Sequence, residues 1–198
     1  SKVEVINDAN DELMNFYRVA KTRFKELNEM IQLSLISRDL HHKATVVYHN
    51  PSLFDEVRRA WAIWVLCMMG FSSKMDGPFG FDKKDSSQSK RLIFKKQAFT
   101  EELMYRLEKV QIESADALYV IQSRDHDTAF FYCDPPYVPI NTHTKAFSYT
   151  KNQFTLSDQQ ELADLAAITA ARGIPVVISN HDTESTRVFY QRAKIKYF

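Results

Sequence analysis

Two consecutive prolines, Pro135 and Pro136, put a hard end on the apolar run Thr128-Ala-Phe-Phe-Tyr-Cys133 just before them. Proline has no amide proton to give to a ladder or a helix and locks its own φ, so the run reads as a short buried strand that stops at Asp134. A second run, Ile174-Pro-Val-Val-Ile-Ser179, reads as another buried, parallel strand. Between them, Leu162, Leu165, Ala166 and Thr169 keep helical spacing, with Ser157-x-x-Gln160 as the expected capping box and Gly173 as the expected stop. Strands alternating with helices at this spacing imply right-handed crossovers and a parallel sheet in a three-layer α/β fold. In such folds ligands bind beyond the carboxyl ends of the strands, which is where Asp134-Pro135-Pro136-Tyr137 falls.

The chain opens on a strand-like Val3-Glu-Val-Ile6 and passes through Asn7-Asp8-Ala9-Asn10 into one long expected helix, with apolar positions Leu13, Phe16, Tyr17, Ala20, Phe24, Leu27 and Ile31. Ser52, after Pro51, is the expected cap of a helix running through Trp61, Trp64 and Met68 to Gly70, its two tryptophans sharing a face and packing in the core. From Gly70 to Gln97 the pattern breaks into Gly, Ser, Pro and Lys around Gly77-Pro-Phe-Gly80, which predicts a long loop or hairpin. A helix over Glu101 to Lys109, a strand over Val110 to Glu113 and a short helix from Asp116-Ala117 to about Ser123 complete the pattern. There is no internal repeat.

The 198 residues are 44% hydrophobic and 26% charged, enough for one core and a small appended region. No stretch approaches the roughly eighteen apolar residues of a membrane span, and Ser1-Lys-Val-Glu-Val is unlike a signal peptide, so a cytosolic protein is expected. Cys67 and Cys133 read as buried thiols rather than a disulfide. Six scattered histidines without Cys-x-x-Cys argue against a metal, and His41-His42 reads as a solvated pair. A net charge of +1 says little, but its distribution says more. Lys74, Lys83, Lys84, Lys90, Arg91, Lys95 and Lys96 face only Asp76, Asp82 and Asp85 within one Ser- and Gly-bearing stretch, a candidate nucleic-acid-contacting surface.

The candidate catalytic residues are Asp134, Pro135, Pro136 and Tyr137. A carboxylate and the Pro135 carbonyl, held rigid by the prolines, can accept both protons of a planar exocyclic amine. That would free its lone pair to attack an electrophilic methyl group. Tyr137 would offer a flat face for a base. The plainer reading of the tetrapeptide is a turn. A nucleoside-binding sheet normally carries a glycine-rich turn after its first strand, yet the four glycines stand at 70, 77, 80 and 173. Asp8 ends the opening strand where a ribose-binding acid belongs, about 20 residues past such a turn. The expectation is that the sequence begins one strand late, as a fragment.

With these pieces placed, the sequence resembles the Dam-type (D12 class) DNA adenine-N6 methyltransferases over nearly its whole length. The resemblance lies in Asn7-Asp8-Ala9-Asn10 with Leu13 and Phe16-Tyr17, in Asp134-Pro135-Pro136-Tyr137, in Phe154-Thr155-Leu156 with Gln159-Gln160, in Ile174-Pro-Val-Val-Ile-Ser-Asn-His-Asp182, and in Tyr190-Gln-Arg-Ala-Lys194. It implies an incomplete three-layer Rossmann-like methyltransferase sheet, residues 1–36 and 98–198, with a helical and basic-loop target-recognition insert at 37–97. It implies S-adenosylmethionine as cofactor and double-stranded DNA as partner, with no membrane or metal, in a monomer that methylates a flipped-out adenine. Asp8 would hold the cofactor ribose, or cap the first helix. Asp116 would contact the cofactor adenine, or cap the helix it precedes. The family's glycine-rich motif and N-terminal lysine motif have no counterpart, so residues 1–198 alone are expected to bind no cofactor. Methylation of cytosine N4, of RNA or of a protein amide, and an inactive DNA-binding remnant, are the alternatives.

Overall fold

The computed structural model describes residues 3–71, 75, 77–83, 87–138 and 154–196, so Lys74 and Lys84 lie outside the described residues. The chain forms two compact units, Ser1–Ser114 and Ala115–Phe198.

The first unit holds β1 (Glu4–Asn7), α1 (Asp11–Thr22), α2 (Phe24–Leu33), α3 (Arg38–His49), α4 (Glu56–Met69), α5 (Ser87–Ala98), α6 (Glu101–Leu107) and β2 (Val110–Glu113). β1 and β2 pair in parallel, from Glu4 opposite Val110 to Asn7 opposite Glu113. α4 is apolar almost all round and is the core of this unit, with α1, α2 and α3 packed against it. Trp61 and Trp64 are buried in that core as their spacing predicts, and the Trp61 indole N–H donates to Ser34 Oγ at 2.8 Å.

Four expectations change here. The long first helix breaks at Arg23, whose φ of −132° is not helical and whose guanidinium bonds Glu26 and Glu56. The apolar spacing runs on across the break because Ala20, Phe24, Leu27 and Ile31 all bury into the same core. Ser52 lies in a 3-10 turn over Pro51–Leu53; the cap of α4 is Asp55, whose Oδ1 accepts from the amides of Val57 and Arg58. The stretch before it forms α3, capped by Ser37, so the histidine pair is split: His41 is buried and His42 is exposed. The basic stretch is not all loop, for its second half is α5. Asp82 accepts from the amide of Gln88 at the start of α5, and Leu92 is its buried residue. A helix that buries one aliphatic side chain shows almost no apolar period. The turn at Gly77–Gly80 stands, with Gly70 and Phe79 bridged antiparallel.

The second unit holds α7 (Ala117–Ser123), β3 (Phe131–Cys133), α8 (Leu156–Ala171), β4 (Val176–Ile178) and α9 (Glu184–Phe189). β3 and β4 pair in parallel, from Phe131 opposite Val176 to Cys133 opposite Ile178; they are shorter than the apolar runs that announce them and are not the buried strands expected, for Tyr132 and Val177 are exposed and the other four residues half-buried. The capping box of α8 is Thr155 with Asp158, not Ser157 with Gln160: Thr155 Oγ1 accepts from the Asp158 amide and Asp158 Oδ2 from the Thr155 amide. Gly173 follows the helix at φ +85°.

The fold is therefore mixed α/β, with small parallel sheets flanked by helices, as an incomplete Rossmann-like methyltransferase core with a helical insert requires. Both cysteines are free thiols, half-buried rather than buried, and partial burial pushes the pKa of each up. Among the described residues no helix is long and apolar enough to cross a membrane.

Candidate active site

β3 ends where the prolines begin, and the parallel register sets the end of β4 beside it. The Ser179 amide donates to the Cys133 carbonyl at 3.0 Å, which carries the pairing one step past the ladder. That bond brings the Ser179 hydroxyl to Asp134, where it donates to Oδ1 at 2.5 Å. Asp134 is otherwise exposed. The Pro136 carbonyl accepts from Gln159 Nε2 at 2.7 Å, and Gln159, in the first turns of α8, is 2% exposed. Its Oε1 accepts from Asn180 Nδ2 at 3.0 Å and from the Tyr190 hydroxyl at 3.4 Å. Asn180 Oδ1 in turn accepts from the amides of Val138 and His181, both at 2.9 Å.

His181 Nδ1 lies 2.9 Å from the Val138 carbonyl; a carbonyl can only accept, so Nδ1 carries the proton. The His181 ring stands edge-on to Tyr137, with centroids 4.9 Å apart and planes at 81°. Tyr137 is thus steadied on one side while the residue as a whole is 40% exposed. The phenol of Tyr190 behind this network is pushed up to about 12, first by burial and then by Cys133. Among the described residues, none donates to Asp134 Oδ2 or to the Pro135 carbonyl. The tetrapeptide therefore presents two acceptors on a backbone that its neighbours hold still.

In the first unit, Asp8 follows β1 and its Oδ1 accepts from the Asn10 amide at 2.7 Å. Asn10, not Asp8, caps α1, accepting from the amides of Glu12 and Leu13. Asp8 instead borders an open cavity of about 360 Å³, whose apolar lining includes Ile6, Leu13, Met14, Tyr17, Leu107 and Val110. Burial, then Cys67 and Asp8, push the Tyr17 phenol up. A carboxylate on the rim of an apolar cavity at a strand end offers two things a nucleoside needs: an acceptor for ribose hydroxyls and an apolar surface for a ring. The residues here fit S-adenosylmethionine. Asp116, in the second unit, is the N-cap of α7, its Oδ1 accepting from the Tyr119 amide at 3.0 Å.

The basic residues divide by what already holds them. Lys90 and Lys95 are exposed on α5, and the Lys83 ammonium lies 5.8 Å from the centre of the Phe81 ring. Arg91 donates to the Met68 carbonyl at 2.7 Å, and Lys96 donates to the carbonyls of Gln32 and Ser34, so both are engaged in joining α5 to its neighbours. Sequence reasoning passed over Arg38, whose exposed guanidinium lies 5.0 Å from the Phe79 ring centre and 5.6 Å from that of Phe81. It also gave no role to Gln159, Ser179, Asn180 or His181, although all four stand in the segments that carry the resemblance.

The family described as "D12 class N6 adenine-specific DNA methyltransferase" matches residues 1–198. The chain is 30% identical to the DNA adenine methylase of Escherichia coli (strain K12), over 96% of this chain and 69% of that protein. It is 31% identical to the DNA adenine methylase of Serratia marcescens, over 96% of this chain and 72% of that one. For the DNA adenine methylase of Vibrio cholerae serotype O1 (strain ATCC 39541 / Classical Ogawa 395 / O395) the figures are 32%, 96% and 70%. A match along the entire chain, agreeing with an Asp-Pro-Pro-Tyr turn at the end of a parallel strand, makes this protein a member of the D12 class of N6 adenine-specific DNA methyltransferases.

Proposed function

We infer that the protein transfers a methyl group to N6 of an adenine turned out of duplex DNA, with Asp134 and the Pro135 carbonyl receiving the amine. S-adenosylmethionine, when bound, supplies the electrophilic methyl. Asp134 Oδ2 and the Pro135 carbonyl accept the two N6 protons, which draws the nitrogen lone pair out of conjugation with the ring and aims it at the methyl carbon. Asp134 then takes the proton that N6 sheds as the C–N bond forms and the bond between the methyl carbon and the cofactor sulfur breaks, its electron pair staying on sulfur. Tyr137 gives the extruded base a face to stack on, replacing part of the stacking given up when it leaves the duplex. Asp8 accepts from the cofactor ribose. Asp116 serves as the cap of α7.

Within the 37–97 region, Lys83, Lys90 and Lys95, joined by Arg38, are assigned to the DNA. The first three supply charge for phosphates, and Arg38 offers a guanidinium braced by two phenylalanine rings.

The observation that carries this reading is the placement of Asp134 at the end of β3, one oxygen bonded by Ser179 and the following backbone bonded by Gln159 and Asn180. Its test is Asp134→Ala in the full-length enzyme. Methyl incorporation into duplex DNA should fall by about a hundredfold or more, while DNA affinity stays within about twofold, because an acceptor made for the transition state has been removed. Incorporation retained within a few fold overturns the assignment, and a product other than N6-methyladenine overturns the choice of target.

A further inference from the structure

Three side chains from the second unit reach the catalytic turn from outside it: Ser179 and Asn180 from the end of β4, and Gln159 from α8. Two features of the turn make their presence consequential. The Asp134 carboxylate is exposed and sits on a broad, nearly two-fold torsion, so either oxygen could face a substrate. The Pro135 and Pro136 carbonyls follow one another beyond the end of β3 at Cys133, and proline gives up its amide donor while keeping its carbonyl, so both are acceptors that an incoming amine could take.

We propose that Ser179 and Gln159 are positioning residues for methyl transfer, occupying Asp134 Oδ1 and the Pro136 carbonyl so that the amine meets Asp134 Oδ2 and the Pro135 carbonyl. The proposal rests on the reading of Asp134 given above. Ser179 can do this because its own backbone is fixed, its amide bonded to the Cys133 carbonyl at 3.0 Å while its hydroxyl donates to Oδ1. One hydroxyl proton then decides which carboxylate oxygen is left for substrate.

Gln159 does the same for the carbonyls, and its amide cannot be turned round. Nε2 points to the Pro136 carbonyl at 2.7 Å, while Oε1 receives Asn180 Nδ2 and the Tyr190 hydroxyl. A flip would set NH₂ against an NH₂ donor at Asn180 and leave an oxygen facing the Pro136 oxygen. Asn180 is locked in turn, because its Oδ1 already receives two backbone amides, those of Val138 and His181. Backbone donors therefore fix Asn180, Asn180 fixes Gln159, and Gln159 fixes the carbonyl. Each link is a bond that polarity allows in one orientation.

The experiment compares Ser179→Ala, Ser179→Thr, Gln159→Glu and Asp134→Ala in the full-length enzyme, by single-turnover methylation, KM for duplex DNA, cofactor affinity and Tm. Ser179→Ala and Gln159→Glu should each lower kcat by about tenfold to a hundredfold, the scale of a misaimed reacting group, with KM for DNA and cofactor affinity within about twofold. Ser179→Thr, which keeps a hydroxyl, should recover most of the loss. The proposal fails if both variants keep kcat within twofold of wild type. It also fails if the losses follow a fall in Tm or in DNA binding and threonine does not rescue. If Asp134→Ala itself remains active, the reading of Asp134 fails. If Asp134→Ala is inactive while Ser179→Ala and Gln159→Glu are fully active, that reading stands and the positioning role falls.

Discussion

His41 sits in the first unit at 6% exposure, its ring edge-on to Phe79 at 5.8 Å and its Nε2 without a partner among the described residues. Burial, then the charges of Arg38 and His42, hold its pKa below the ordinary 6.5. A depressed folded-state value means that the unfolded chain takes up the proton first. The stability that neutral His41 contributes is therefore present above pH 6.5 and is lost as pH falls through the folded-state value. The urea midpoint should drop between about pH 7.5 and 5.5, and His41→Phe should make it flatter across that window; equal slopes for the two proteins would remove His41 as the cause. A few residues away in sequence, Ser34 Oγ accepts the Trp61 indole N–H and donates to the Met30 carbonyl. Ser34→Ala leaves a buried donor unmatched and should cost about 1–3 kcal/mol by urea denaturation. At this scale, legibility depended on whether a residue acts through its neighbours in sequence. Asp134 stood out as a candidate because prolines punctuate it. Ser179 and Gln159 could not be given roles, because their partners, Asp134 and Pro136, lie 45 and 23 positions away and meet them only once β3 and β4 pair.

Elements were legible where a buried face and a stop signal coincide, and α8 has both. Gly173 reaches φ +85° just after that helix, and a side chain there would meet nothing within 4 Å. Gly173→Ala should therefore lose about 1 kcal/mol from backbone strain alone, with no clash, as read by Tm or urea midpoint; a neutral result would mean the turn relaxes to a negative φ. The start of α8 was displaced because Thr155 and Ser157 are both competent caps, and it is the Asp158 carboxylate, returning to the Thr155 amide, that decides between them. α3 buries a histidine, an alanine and a valine, and α5 a single leucine, so neither carries the stripe by which a helix is recognised. Both are fixed by tertiary partners instead, α5 by Arg91 and Lys96 reaching carbonyls of other elements. Between α1 and α2 the opposite holds: the stripe continues through a break that it does not record.

At the scale of the whole molecule, a formal charge of +1 gives no general attraction to DNA, so phosphate binding has to come from local charge. Neutralising Lys83, Lys90 and Lys95 together should flatten the salt dependence of duplex affinity by up to about 0.9 for each phosphate that a lysine no longer neutralises, for specific and non-specific DNA alike. Lys96→Met should lower stability and leave that slope almost unchanged, since its ammonium is already bonded to protein carbonyls. An equal flattening from Lys96→Met would put the phosphate-binding charge elsewhere on α5. The α/β class and the parallel pairing were legible from composition and period, because strand and helix patterns differ in spacing. The partition into units meeting at Ser114 and Ala115 was not, because no proline, glycine or charge run marks that point. The catalytic turn has a further implication for how such an enzyme can diversify. In the role proposed for them, Asp134 and the Pro135 carbonyl would measure an NH₂ group and carry no information about the ring behind it. Under the proposed roles, amine recognition and target choice are then separable inheritances: the turn around Asp134 can stay constant while sequence preference drifts elsewhere in the chain.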